Sequence, residues 1–203
     1  MKEKILEIHT DASGDNKNGL GILFINPDES ERQFSYKVNK DIFYSHINNV
    51  HVTDDDVIIN IMQLEMMAMY VAIKELETYS RSYDRIILYS DNLPCIEFLN
   101  NINSNKKENE STNSVIELSN VIKDLLKKIN ISVDFRWIKS HCGVYGNEVA
   151  DRLAKVGARK TNLYGKFSIN NIQHSLFNDR VVVWRKPKNP KKGKFETVFL
   201  KVC

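Results

Sequence analysis

Residues Trp137 to Ala158 read WIKSHCGVYGNEVADRLAKVGA. The segment starts as the end of a strand, passes through a Gly-containing loop over Ser140–Gly146 that reads as mobile, and continues as a helix from Asn147 to Ala158. The loop carries His141 and the helix carries Asp151, ten positions later. A strand–loop–helix unit of this kind belongs to an α/β architecture. An imidazole and a carboxylate placed across it acquire chemical meaning only where further acidic groups meet them.

Upstream, KILEIHTDAS (Lys4–Ser13) reads as a strand that finishes at Asp11 in a turn, SGDNKNG. LGILFIN is a second strand, stopped by Asn26-Pro27-Asp28, and RQFSYKV a third, with Phe34, Tyr36 and Val38 alternating. Their short connections predict an antiparallel meander. Residues 39–60 show no clear period and read as a long connection, with an extra strand conceivable over Asp56–Asn60. The Asp54-Asp55-Asp56 run within it fits a cation ligand set or, more simply, a solvated loop or cap.

QLEMMAMYVAIKELETY (Gln63–Tyr79) is the clearest helix, rich in helix formers at helical spacing. RIILYSD has the near-continuous apolar run of a buried strand ending in Asp91. NLPCIEFLNNI is a short helix that Asn92 caps, followed by a polar linker. SVIELSNVIKDLLKKI is amphipathic, with Val115, Leu118, Val121, Ile122, Leu125 and Ile129 on one face. ISVDFRWI is the last strand before the opening segment. The order β-β-β-α-β-α-α-β-α predicts an α/β fold: a mixed five-stranded sheet, three antiparallel strands then parallel ones, flanked by helices.

At 203 residues and 42% hydrophobic, the chain can bury one sizeable core, so one domain plus an appendage is expected. The first residues, MKEKILEIHT, carry charges within the apolar run and read as neither signal peptide nor anchor. No stretch approaches ~18 apolar residues, so no membrane span or membrane partner is expected. Cys95, Cys142 and Cys203 are scattered without a CxxC pair, which speaks against zinc and fits a reducing, cytoplasmic setting, although Cys142 beside His141 suits a reactive thiol. Net charge is only +3, yet residues 160–203 hold ten Lys or Arg against two acidic residues. A mildly acidic body therefore carries a basic tail, which suits either a solvated surface or nucleic acid.

Four acidic residues fall at informative places. Asp11 and Asp91 end strands which, if parallel neighbours, deliver both carboxylates to the carboxyl-end crevice where α/β sheets bind ligands. Glu65 lies in the first turn of the Met-rich helix, and Asp151 one turn into the last. Singly, each has an ordinary role: turn former, helix cap or solvated helix residue. Together, four acids converging on one crevice repel one another unless a divalent cation neutralises them. All-oxygen donors suit Mg²⁺ or Mn²⁺. Two such ions activate water and stabilise the leaving oxygen of a phosphodiester, with His141 moving protons or helping product leave.

The local contexts match one family in the same chain order. HTDAS, QLEMMAMYVAI, ILYSDN and WIKSHCGVYGNEVADRLAK together resemble the motifs of type 1 ribonuclease H, from about Ile5 to Ala158. The variant without a basic helical handle, as in domains attached to retrotransposon reverse transcriptases, looks most similar, because the connection after Asp91 lacks Trp. The resemblance implies that Asp11, Glu65, Asp91 and Asp151 ligate two Mg²⁺ ions, which Mn²⁺ can replace. Asp11 bridges them, Glu65 and Asp91 stand on one side and Asp151 on the other. It further implies hydrolysis of the RNA strand of RNA–DNA hybrids, giving 5′-phosphate and 3′-hydroxyl ends. Backbone groups near Ser13 and Gly14, the side chains of Glu65 and Gln63, and Asn147 are implied as substrate contacts, with RNA sensed through its 2′-hydroxyls.

This chain departs from the family pattern at Ala12, where a glycine is usual, at Ser140, and at Ile61-Met62, where a polar pair usually precedes the helix Glu. Those changes leave the metal chemistry and touch substrate preference. Nucleases for double-stranded or structured RNA, and a non-catalytic binding module, stand as alternatives. Outside the resemblance, residues 160–203 read as a β-hairpin of RVVVWRK and FETVFLKV. Its tip carries Lys186, Lys188, Lys191, Lys192 and Lys194, with Trp184 and Arg185 beside it. Such a tip fits a phosphate-binding finger, a solubilising edge or, through Trp184, Phe195 and Phe199, a dock for a partner protein.

Overall fold

A computed structural model of the chain describes residues 3–14, 17–38, 59–77, 83–101, 110–159, 180–185 and 196–201. Most of the long connection, including Asp54–Asp56, lies outside them, as do residues 102–109 of the polar linker.

Strands β1 (Ile5–Ser13), β2 (Gly19–Ile25) and β3 (Glu31–Lys37) form the expected antiparallel meander. Strand β4 (Arg85–Ser90) pairs parallel with β1, and β5 (Asp134–Trp137) parallel with β4, so the sheet order is β3-β2-β1-β4-β5. Helix α1 (Ile61–Leu76) lies on one face and packs against α3 (Glu110–Ile129), with the short α2 (Leu93–Leu99) beside them. Helix α4 (Tyr145–Arg159) covers the other face over β1, β2 and β3. No described helix is long and apolar enough to cross a membrane. Strands β6 (Arg180–Arg185) and β7 (Glu196–Lys201) pair antiparallel as a separate two-stranded sheet.

Several boundaries differ from the sequence expectation: α4 begins at Tyr145, two residues before Asn147 and inside the expected loop, α3 begins at Glu110 inside the expected linker, and β5 is limited to Asp134–Trp137. Two more bear directly on the site. Strand β1 does not finish at Asp11: its ladder with β2 continues through Asp11↔Gly21 to Ser13↔Gly19. Its ladder with β4 stops at His9↔Tyr89. Asp11 is therefore held rigidly by one neighbour at the point where the other leaves, which opens space for its carboxylate. Helix α1 begins at Ile61, two residues early, because Asn60 and Gln63 form a capping box. Asn60 Oδ1 accepts from the Gln63 backbone N–H at 2.9 Å, and Gln63 Oε1 accepts from the Asn60 N–H at 2.8 Å.

The core lies mainly between the sheet and α1, where Leu6, Ile8, Leu20, Ile22 and Phe24 meet Leu64, Met67 and Val71. Helix α4 reaches the other face through small residues. A Cβ on Gly19 or Gly21 of β2 would run into the α4 backbone at Ala150, Ala154 and Ala158, and one on Gly157 into the Tyr36 backbone of β3. Ser35 Oγ also donates to the Leu153 carbonyl at 2.7 Å. Backbone-to-backbone approach of this kind tolerates no side chain and fixes the helix as a rigid body.

Candidate active site

Three of the four expected carboxylates meet. Asp11, Glu65 and Asp91 each offer an oxygen within 4.8 Å of the others. Asp11 comes from β1, Glu65 from the second turn of α1, and Asp91 from the residue after β4. Asp11 and Glu65 are buried, and Asp91 is half-buried. The Ala12 N–H donates to Asp11 Oδ1 at 2.7 Å and to Glu65 Oε1 at 3.2 Å, drawing the two carboxylates onto one donor. Burial, and then the charge of Asp91, push the Asp11 carboxyl from its ordinary 3.8 up to about 7. Burial and the charges of Asp11 and Asp91 raise Glu65 well above the usual carboxylate range. Without a cation this group retains protons at mildly acidic pH.

Asp151 stands on α4, in the second turn, and is half-buried. Its charge contributes to the rise at Asp11, so it acts on the buried group across the crevice. Lys155 Nζ, one helical turn on, donates to Asp151 Oδ2 at 2.8 Å. His141 occupies the exposed turn before α4 with a left-handed φ of 51°. One of its ring nitrogens lies within 4.8 Å of carboxylate oxygens of Glu148 and Asp151. The strand–loop–helix unit thus sets the imidazole at Asp151, and Asp151 across from the other three acids.

The remaining expected residues sort themselves. Ser13 and Gly14 are half-exposed at the end of β1, beside the carboxylates. Gln63 is buried and its side-chain oxygen serves the cap of α1. Asn147 is also buried; its Nδ2 donates to Asp91 Oδ2 at 3.3 Å. The five lysines of the basic tip lie outside the described residues. Two supports were not foreseen. Trp137 Nε1 donates to the Asp91 backbone carbonyl at 2.9 Å, fixing the turn that aims the carboxylate, and Lys155 holds Asp151. The spacing Asp151-x-x-x-Lys155 could have shown the second, since i,i+4 pairs face each other on a helix.

The donor set fits a divalent cation. The Glu65 Oε2 atom is buried without a protein partner, among carboxylates that repel one another. Oxygen-only ligation by carboxylates suits a hard ion such as Mg²⁺ or Mn²⁺.

The family model for RNase H matches residues 3–159. Comparison with curated proteins gives no match. Among solved structures, the chain resembles RNase H1 from the halophilic archaeon Halobacterium salinarum NRC-1, with TM-score 0.55 and 13% identity, covering 75% of this chain and 96% of that one. It also resembles LC11-RNase H1 in complex with an RNA/DNA hybrid, a protein isolated from compost by a metagenomic approach, with TM-score 0.56, 11% identity and coverage of 75% and 96%. A foamy viral protease-reverse transcriptase in complex with dsDNA gives TM-score 0.50, 17% identity and coverage of 77% and 94%. A mixed sheet with acids at its carboxyl end and a family match over three quarters of the chain define a nuclease of the ribonuclease H type. The chain belongs to the RNase H family, and it is a ribonuclease H enzyme.

Proposed function

We propose that this protein is an endoribonuclease that hydrolyses the RNA strand of RNA–DNA hybrids, leaving 5′-phosphate and 3′-hydroxyl ends, with two divalent cations at its carboxylates. The observation that carries the reading is the convergence of buried Asp11 and Glu65 with Asp91, within 4.8 Å, facing Asp151. Mg²⁺ bound there supplies Lewis acidity to the phosphodiester and a water of lowered pKa. Asp11 with Glu65 and Asp91 would hold one ion, and Asp11 with Asp151 the other, since Asp11 is acted on by acids from both sides. Lys155 keeps Asp151 paired until that carboxylate is needed. His141, at the rim beside Asp151, takes or delivers a proton as product leaves. Backbone groups of Ser13 and Gly14 face the minor groove of the hybrid, a contact to the 2′-hydroxyl that DNA lacks. The five lysines Lys186, Lys188, Lys191, Lys192 and Lys194 of the C-terminal extension supply phosphate contacts outside the site. The hybrid-bound LC11-RNase H1 supports this substrate class.

A second reading has one observation in its favour. Ile61, at the start of α1, is 50% exposed, and its Cδ1 lies 3.6 Å from where a Cβ on Gly14 would be. An aliphatic side chain beside the substrate-facing backbone gives no hydrogen bond to a base edge, which removes one contact for reading a hybrid and leaves RNA duplex as the second substrate class.

One end-labelled sequence, prepared as hybrid, RNA duplex, DNA duplex and single-stranded RNA, tests both with Mg²⁺ and with chelator. Metal-dependent cutting confined to the RNA of the hybrid supports the first reading. Cutting of RNA duplex instead transfers the same site to the second. No cutting in any arm sinks both.

A further inference from the structure

Helix α4 rests on the sheet in two different ways. Over β2 and β3 it is seated backbone on backbone, at Gly19, Gly21 and Gly157, with no space for a Cβ. Over β1 it rests on a side chain. The imidazole of His9 fills the space beneath Gly146, the second residue of the helix, and a Cβ on Gly146 would run into the ring.

That ring is a fixed plate. His9 is 3% exposed and stacks on Tyr89, its register partner on β4, with centroids 4.8 Å apart and planes 15° from parallel. The Glu7 carboxylate lies 3.8 Å from Nε2, and Nδ1 has no protein partner. The side chain is therefore used for its shape. It lies where β1, β4 and α4 meet, and each of these carries, or runs directly into, a carboxylate of the site. Asp11 is two residues on from His9, Asp91 two on from Tyr89, and Asn147 and Asp151 are one and five on from Gly146. With the rest of α4 already at closest approach, the thickness of this plate decides how far the N-terminal turn stands off the sheet.

We propose that His9 is a positioning residue: its ring, wedged between Tyr89 and Gly146, sets the separation of Asp151 from the Asp11–Glu65–Asp91 group, and so how tightly a divalent cation is shared between Asp11 and Asp151. This rests on the two-cation reading above. Without the ring, the first turn of α4 settles toward β1 and carries Asn147 and Asp151 with it. A misplacement of about 1 Å suffices for a large kinetic effect.

The test compares His9→Ala, His9→Phe and the double variant His9→Ala/Gly146→Ala with the unaltered protein. In His9→Ala, the Mg²⁺ concentration for half-maximal cleavage rises roughly tenfold while KM for the hybrid is unchanged. Phe, a plate of similar thickness, returns the Mg²⁺ dependence to near the unaltered value. In the double variant the methyl added by Gly146→Ala occupies the vacated space and recovers part of the loss. Independently of activity, crystals soaked in Mn²⁺ show the ion at Asp11, Glu65 and Asp91 retained in His9→Ala, and the one shared with Asp151 weakened. A folded His9→Ala with unaltered Mg²⁺ dependence and both Mn²⁺ ions overturns the proposal. So does a Phe variant as impaired as Ala, which assigns the effect to the nitrogens. Should His9→Ala not fold, Tyr89→Leu removes the stacking partner and decides by the same two readouts. If the unaltered protein cuts nothing, it is the two-cation reading that fails, and the two failures are thereby distinguished.

Discussion

Asn147 donates from its side-chain amide to Asp91 Oδ2 at 3.3 Å, while its own Oδ1 is buried without a protein partner. This bond joins the first turn of α4 to the residue that follows β4. It is a direct tie between the element carrying Asp151 and the carboxylate of Asp91. Asn147 thus acts on the geometry of the carboxylate group from a buried position.

Removing that donor leaves Asp91 to its neighbours. A hydrogen bond to a charged group contributes about 1.5–3 kcal/mol. Part of that is offset in Asn147→Ala, because the buried Oδ1 disappears as well. The expected loss in a urea melt of the chelated protein is therefore about 1–2 kcal/mol. Asn147→Asp costs more at pH 8 than at pH 5, since it sets a second carboxylate against Asp91. Equal stability of the two variants at both pH values would show that Asn147 does not restrain Asp91.

The Asp11 carboxyl supplies a pH dependence with a definite sign. Its pKa in the fold, about 7, is above its ordinary 3.8. Between those values the folded chain holds a proton that the unfolded chain has released, so stability falls as pH rises through the window. Melting of the chelated protein should drop between pH 5 and pH 8. Mg²⁺ or Mn²⁺ should recover more at pH 8 than at pH 5, where protons compete for the same oxygens. Asp11→Asn should flatten both trends and abolish cleavage while hybrid binding persists. Turnover retained in that variant would remove Asp11 from the metal site.

Much of this was legible in the chain because each carboxylate lies in a short, locally distinctive stretch: Asp91 just past a strand, Asp11 near the end of one, Glu65 and Asp151 in the second turns of helices. Asp91 follows a six-residue buried strand and precedes the cap Asn92, whose Oδ1 accepts from the Cys95 N–H at 3.2 Å. The capping role of Gln63 was missed although Asn60-x-x-Gln63 has the spacing of a capping box, a purely local signal. The role of His9 had no such signal. It depends on Tyr89 and Gly146 arriving from far along the chain, and only the parallel register of β1 and β4 with the seat of α4 brings them together. The seat itself was half visible: Ala150, Ala154 and Ala158 recur at helical spacing, and Gly19-x-Gly21 at strand spacing, but nothing local says that one lies on the other.

That seat makes a sharp prediction. At Gly21 an added Cβ would meet the Ala150 carbonyl, a backbone atom that cannot turn aside. Overpacking typically costs about 1–3 kcal/mol where side chains can yield, and here they cannot. Gly21→Val should therefore lose about 3 kcal/mol or more and displace α4 with Asp151, abolishing cleavage. Gly14→Ala is the control, because the nearest atoms to its Cβ are side-chain methyls at 3.5 and 3.6 Å, an ordinary contact. A Gly21→Val protein as stable as Gly14→Ala would mean that α4 is not seated as described.

The C-terminal extension is tested by salt. Residues 160–203 carry ten basic side chains, five of them clustered at Lys186, Lys188, Lys191, Lys192 and Lys194. Each phosphate neutralised on a duplex adds roughly 0.9 to the slope of log affinity against log salt. If three or more of the tip lysines reach the backbone, replacing all five with Gln should flatten that slope by about 3 and weaken hybrid binding at low salt. The chemical step, which the proposal assigns to Asp11, Glu65, Asp91 and Asp151, should be unchanged in single-turnover cleavage at saturating enzyme. Because contacts to phosphate carry no sequence information, the loss should be the same for hybrids of different sequence. An unaltered salt slope would separate the basic tip from nucleic acid and leave a solubilising edge or a dock for a partner protein as its role.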